Sequence, residues 1–438
     1  MGAIRERLFP SGRPGVDATA LESALVYGTI WLGLFLVGYP VYLLTLESGL
    51  IDTTDARGLL GSDFVAFWSG ARLAALGQVD ILADAAAFAR AQIELIGVGD
   101  FSTRSWCYPP SMLLFLAPFG ALPYKAGFFL WATGGIAAFA AATLSGLSRA
   151  DAMRGAAILS PIVLANVMFG NNGLYTAALA IGAFRVMDRS PALAGAMLAA
   201  LAQKPHLGLT IALLLVLHRE WRTIGATLAA AAGLLALSLA LHGARPWIDW
   251  VEVVLPYQAS LMAVTDDYLP HLLMMSTWFV GLRVMFAPEG LAGAVHALGV
   301  ALTLGFVAFA ALRRSRETGR IVTLIAAPGV SPYLFIYDLG VLTGALWLAL
   351  VHRAPRPDRS RLLVAGLNLP ILSFALASAS YILSQNFGLQ GPILQIGPPI
   401  ILCLTGWAAL RMEPAARPSP LDATQAPAAL PLGAQAAA

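Results

Sequence analysis

The chain has 438 residues, 58% of them hydrophobic and 12% charged, with a net charge of +3. A soluble domain carries about 25% charged residues, so this charge density with a mean hydropathy of +0.74 excludes an ordinary soluble enzyme and points to a polytopic membrane protein. Two cysteines, Cys107 and Cys403, are too few for a disulfide framework or a cysteine metal site, and the arginines gather at loop ends rather than in a patch for nucleic acid.

Ala24–Leu46 runs 23 residues without a charge, enough to cross a hydrocarbon core of about 30 Å. No small-residue cleavage site follows it, so it reads as a retained anchor. Further spans are expected at 125–147, 152–169, 172–188, 191–203, 205–217, 222–242, 291–312, 319–330, 332–352, 361–383 and 392–411. Several are too short to cross alone, which is tolerated where a helix lines protein or a cavity. Arg5, Arg7 and Arg13 precede the first span. With this count Arg149/Arg154, Arg185/Arg189, Arg219/Arg222, Arg313–Arg320 and Arg353–Arg361 fall on the same side. That side is the cytoplasm by the positive-inside rule. Residues 1–412 form a single integral-membrane domain with two exterior segments, 47–124 and 243–290, and 413–438 is an Ala/Pro-rich tail expected to be disordered.

In the first exterior segment, Ser62-Asp63-Phe64 opens the stretch SDFVAFWSGARLAAL. Phe64, Phe67, Trp68, Ala71 and Ala75 recur at three- and four-residue steps, giving one apolar stripe on a helix that lies in the interface. Ser62 suits the capping position. Asp63 has a structural account, because the macrodipole favours a carboxylate there. It also has a functional account, a base facing a lipid-borne substrate. In Trp106-Cys107-Tyr108-Pro109-Pro110 two prolines set the entry to an apolar helix, and Trp and Tyr suit a membrane interface. The stretch 109–123 is about half long enough to cross and is expected to be re-entrant or superficial.

Gly170-Asn171-Asn172-Gly173 carries a turn signal, and its two amides also suit sugar hydroxyls. Lys204, one of only two lysines with Lys125, interrupts the apolar stretch Pro191–Leu217 within Gln203-Lys204-Pro205-His206. A lysine at that depth either snorkels outward or serves a function, and as a point charge it suits a phosphate. Ser331-Pro332-Tyr333 and Tyr337-Asp338 break a later span; a carboxylate there serves a site or an ion pair that sets helix packing. Asp249, Glu252, Asp266, Asp267 and His271 read as solvated loop groups. Ser276, Trp278 and Arg283 lie on an expected surface helix, where Arg283 reaches a phosphate or faces headgroups. No Walker loop, HExxH, CxxC pair or GxSxG occurs, so nucleotide-driven and zinc-hydrolase chemistry find no support.

Taken in order, these motifs resemble glycosyltransferase family 87, membrane enzymes that use polyprenyl-phosphate sugars and include polyprenol-phosphate-mannose mannosyltransferases. The resemblance runs from Ala24 to about His352. It rests on Asp63-Phe64 with Phe67-Trp68, Arg72 and Gly77, and on Tyr108-Pro109-Pro110 followed by Pro118 and Leu122-Pro123. Gly170-Asn171-Asn172, Lys204-Pro205, Arg219-Glu220-Trp221-Arg222 and Ser331-Pro332 complete it. The chain departs from the pattern at Leu82, where tyrosine is frequent, and at Asn171, where glutamine is usual. After Ser331-Pro332 it has Tyr337-Asp338 where a histidine tends to stand.

The resemblance implies an all-α polytopic fold of GT-C type, with about 11–13 transmembrane helices and amphipathic helices in the first periplasmic loop. It implies a bacterial inner membrane, an active site facing the periplasm, and inverting transfer of a sugar, mannose foremost, from a polyprenyl-phosphate donor to a lipid or glycan hydroxyl. Asp63 is then the general base, and Lys204 and Arg283 hold the donor phosphate. Tyr108, Asn171, Asn172, Gln203, His206, Tyr337 and Asp338 contact substrate, and Phe64, Phe67 and Trp68 guide the polyprenyl chain. No cofactor and no metal are expected; the partners are the lipid donor, the acceptor and the bilayer, with no nucleic acid. Two other readings stand beside this one. A lipid-linked-sugar flippase should show two halves of related hydropathy, and none are evident. A catalytically inactive assembly subunit is the other.

Overall fold

The computed structural model describes residues 61–97, 103–262, 272, 274–285, 287–352, 366–370, 372–373, 375–376, 379 and 395–412. The expected first span 24–46, the tail 413–438, most of the span 361–383, and Asp266, Asp267 and His271 lie outside them. Among the described residues 81% are helical and no strand occurs. The chain is an all-α polytopic membrane protein.

The segment 47–124, expected outside, holds α1 (Phe64–Ala75), α2 (Ala85–Ile96) and α3 (Met112–Gly120) among its described residues. Then come α4 (Tyr124–Leu144), α5 (Arg149–Phe169), α6 (Gly173–Val186), α7 (Pro191–Leu201), α8 (Leu209–Leu217) and α9 (Trp221–His242). The described residues of 243–290, also expected outside, include α10 (Arg245–Asp249), a π-turn over Trp250–Val254, α11 (Leu255–Ser260) and α12 (Trp278–Arg283). The remainder is α13 (Glu289–Arg313), α14 (Arg316–Ala326), α15 (Gly340–His352) and α16 (Gly397–Arg411).

By length and composition α4, α5, α9 and α13 can each cross a membrane. α9 leaves Leu228, Leu235, Leu237 and Leu241 exposed, apolar surface suited to lipid. The shorter apolar helices α6, α7, α8 and α15 are packed among their neighbours. Their buried faces, with those of α14 and α16, form the main core around Phe184, Leu342 and Trp347. This is where a helix too short to cross is stable, because protein satisfies its ends.

One end of the bundle is tied together by arginines. Arg185 donates to the carbonyls of Ala142 (2.8 Å) and Ser145 (2.9 Å). Arg316 pairs with Glu220 at 2.7 Å, Arg320 with Asp188 at 2.6 Å, and Arg314 donates to the carbonyl of Ala409 at 2.9 Å. The turns after α4, α6, α8 and α13 therefore share one face, as the arginine count predicts.

The interface helix expected at 64–75 is different. Ser62 does not cap it; Asp63 is the N-cap residue and its side chain makes no capping bond. Nor does it lie on a lipid surface, since Phe64 to Ala71 are buried without a break. Phe64, Phe67 and Trp68 pack with Tyr108, Tyr124, Phe128 and Trp131 in an aromatic cluster. A sequence stripe shows which face is apolar, not whether lipid or protein meets it. The stretch 109–123 forms the nine-residue α3, too short to cross.

Candidate functional site

At the end away from the arginines, the helix ends converge. α5 stops at Gly170, whose φ of +66° is a left-handed conformation. The N–H of Asn171 returns to the carbonyl of Asn166 (3.2 Å) and that of Gly170 to Val167 (3.2 Å), the double bond pattern of a Schellman stop. The next two carbonyls of α5 are taken by the start of α1: Gly61 N–H donates to Met168 (3.1 Å) and Asp63 N–H to Phe169 (2.7 Å). Trp131 Nε1 donates to the Gly170 carbonyl at 3.0 Å. The orphan carbonyls at the end of α5 thus anchor Asp63 beside Asn171.

Asp63 is held at both oxygens. Oδ1 accepts from Arg104 Nε at 3.1 Å and Oδ2 accepts from Asn171 Nδ2 at 2.9 Å. Arg104 is placed by Gln92, which is fully buried: Gln92 Nε2 donates to the Arg104 carbonyl (2.6 Å), and Arg104 N–H donates to Gln92 Oε1 (3.0 Å). Asn171 Oδ1 accepts from Lys204 Nζ at 3.0 Å and from the Asn172 N–H at 2.8 Å. Lys204 also donates to Asp338 Oδ1, while Asp338 Oδ2 accepts from the Phe335 N–H at 3.3 Å. Pro205 ends the turn after α7 and starts a short 3-10 turn, which leaves Lys204 pointing inward rather than snorkelling.

Asp63, Arg104, Asn171, Lys204 and Asp338 line a cavity of about 470 Å³. Of the expected site residues, Asp63, Phe67, Tyr108, Asn171, Gln203, Lys204, His206, Tyr337 and Asp338 line it. Four do not. Phe64 and Trp68 face the aromatic core. The side chain of Asn172 is buried and its amide atoms find no hydrogen-bond partner among the described residues. Arg283 closes the end of the six-residue α12 by donating to the Ala287 carbonyl at 2.9 Å. Missing from the sequence reading were Arg104, Gln92, and the Tyr257 and Gln258 wall. Tyr257 meets Ser105 Oγ at 3.1 Å. The one sequence signal for Arg104 was its place just before the Trp-Cys-Tyr-Pro-Pro motif, away from the arginine-rich loop ends.

The cavity has an apolar side, with Trp250, Leu255, Leu261, Met274 and Met275. Met275 and Phe335 meet in a single antiparallel bridge, closing this side onto the Tyr333–Asp338 turn. Burial first, and the charge of Asp63 second, push the Cys107 thiol up to about 12, so it stays protonated at neutral pH and is no nucleophile. Burial, then the charges of Asp338 and Asp63, hold the Tyr108 hydroxyl well above its ordinary value, so it remains a donor. Among the described residues no group of three His, Cys, Asp or Glu side chains is placed to hold a metal ion.

The cavity therefore offers two carboxylates, Asp63 and Asp338, two cations, Arg104 and Lys204, hydroxyl and amide donors, and an apolar wall on one side. No curated protein and no solved structure matches this chain. The sequence model for glycosyltransferase family 87 matches residues 106–332, a stretch with Tyr108, Asn171 and Lys204 inside it and Asp63 and Asp338 outside; as it spans more than half of the 438 residues, the chain belongs to that family.

Proposed function

We propose that this glycosyltransferase moves a sugar, mannose foremost, from a polyprenyl-phosphate donor to a hydroxyl of a lipid or glycan acceptor, with inversion. The setting is the periplasmic face of a bacterial inner membrane, and the architecture is GT-C. The observation that carries the reading is the Asp63 carboxylate. It sits at a helix N-terminus yet makes no capping bond; it faces the cavity beside an apolar wall. In the reaction the acceptor oxygen forms a bond to the anomeric carbon and the bond from that carbon to the phosphate oxygen breaks. The phosphate leaves with the electron pair, and Asp63 takes the acceptor proton. Arg104 supplies positive charge near the reacting groups. Tyr108, Gln203 and His206 meet sugar hydroxyls, and Leu255, Leu261 and Met274, with Phe67, contact the polyprenyl chain.

The test is radiolabelled transfer by membranes against a panel of polyprenyl-phosphate sugars. Asp63→Asn should cut transfer by about 10²–10⁴-fold, the usual contribution of a positioned base, while the protein remains folded. Full activity in Asp63→Asn would remove the base from the mechanism. Bound lipid without any transfer by the unmodified protein would favour the flippase or the inactive subunit.

A further inference from the structure

An ammonium has three N–H donors. Lys204 gives one to Asp338 and one to Asn171, and its Nζ lies 5.3 Å from the centre of the Tyr337 ring. It is 6% exposed, and the carboxylate that balances its charge is 3% exposed. A cation surrounded in this way has little left for an incoming phosphate. What it does hold is the amide of Asn171, and that amide holds Asp63.

We propose that Asn171 is the positioning residue for the Asp63 carboxylate, and that the buried Lys204–Asp338 pair locks the Asn171 amide rather than binding the donor phosphate. The proposal rests on Asp63 being the base. The two ends of the amide are chemically different. Its oxygen accepts from an ammonium and a backbone N–H, while its nitrogen donates to a carboxylate. A flip would set NH₂ against both donors and oxygen against the carboxylate, three repulsive contacts. The charge of Lys204 therefore selects one amide orientation and, through it, one carboxylate orientation. Asp338 pairs with Lys204 at a depth where an unpaired cation is costly. Misplacing a reacting group by about 1 Å can cost about 10²-fold in rate, so the lock should show in turnover and not in donor affinity.

The experiment uses the full chain in lipid nanodiscs with a polyprenyl-phosphate sugar that it transfers. Asn171→Ala and Lys204→Met should each lower kcat about 10- to 100-fold and move the KM for donor by less than about threefold. The double variant should be no worse than the weaker single, because both changes cut one path. Lys204→Met/Asp338→Leu removes both charges together, a change buried pairs often tolerate, and should fold with the same kcat loss. Infrared spectroscopy gives a readout independent of transfer. The carboxylate band that Asp63→Asn deletes should be displaced in Asn171→Ala and in Lys204→Met. A rise of about tenfold in donor KM with kcat kept in Lys204→Met, additive losses in the double variant, or an unmoved band would each overturn the proposal. If the unmodified protein transfers no sugar from any such donor, the base reading fails, and the infrared comparison still decides whether the lock exists.

Discussion

At Gly170 a single backbone conformation supports the site from three sides. It ends α5, presents its carbonyl to Trp131, and turns the Asn171 amide toward Asp63. A Cβ there would lie 2.7 Å from Phe64 Cβ and 2.8 Å from Gly61 Cα. Gly170→Ala thus meets both the left-handed penalty of about 1–2 kcal/mol and a clash with α1. The expected outcome is a lower melting temperature in detergent together with reduced transfer; an unchanged melting temperature would show that α1 does not press on this turn. Asp63 shows what one residue can and cannot tell by itself. Its position at a helix start was legible in the sequence, while its bonds to Arg104 and Asn171 reach across 41 and 108 positions. No local pattern reports those.

At the scale of elements, α14 shows how packing overrides the ordinary preference of charges. Ser315 caps it by accepting from the Thr318 N–H at 3.2 Å, and every residue from Glu317 to Ala326 is buried, Arg320 to 1% exposure. The helix starts at Arg316, ahead of the apolar run that the span 319–330 was built on, because Ser315 caps it there, and Arg320 within it pairs with Asp188 from the turn after α6. Burial raises the Asp188 carboxyl, but the hydrogen bond and charge of Arg320, then the charge of Arg316, outweigh it and hold the group below its ordinary 3.8. A carboxyl lowered on folding adds stability above its unfolded value and loses it as pH falls through the folded one. The melting temperature of the unmodified protein should therefore exceed that of Asp188→Asn at neutral pH, and the gap should close as pH falls below 3.8. Asp188→Ala, which takes a partly exposed carboxylate from the Arg320 guanidinium, should lower the melting temperature at neutral pH. A gap that persists in acid would assign the stabilisation to shape rather than charge.

For the whole molecule, charge and chemistry separate to opposite ends. The arginine ties join the turns after α4, α6, α8 and α13, and the cavity opens among the other ends of α5, α6, α7 and α15. Single cysteines in a background lacking Cys107 and Cys403 test the orientation. Gln78→Cys, exposed after α1, should react with a membrane-impermeant maleimide on intact spheroplasts. Ala150→Cys, exposed at the start of α5, should react only after lysis. The reverse pattern would invert the topology and place the site inside.

By itself the sequence determined the class of molecule, its arginine asymmetry and the positions of its polar interruptions. Hydropathy and charge are properties of short windows, and the bilayer reads them window by window. Only the tertiary structure decided what each interruption does. Phe64 and Trp68 form the same stripe as Phe67, yet only Phe67 reaches the cavity, because the aromatic rings of α4 cover the others. Lys204 reads as a lone cation until Asp338, 134 positions on, neutralises it. Arg104 has no assigned role in the sequence; Gln92 and Asp63 fix it in the fold. Hydrogen bonds and ion pairs act over about 3 Å of space, and in this fold the partners that complete the site come from helix ends far apart in the chain.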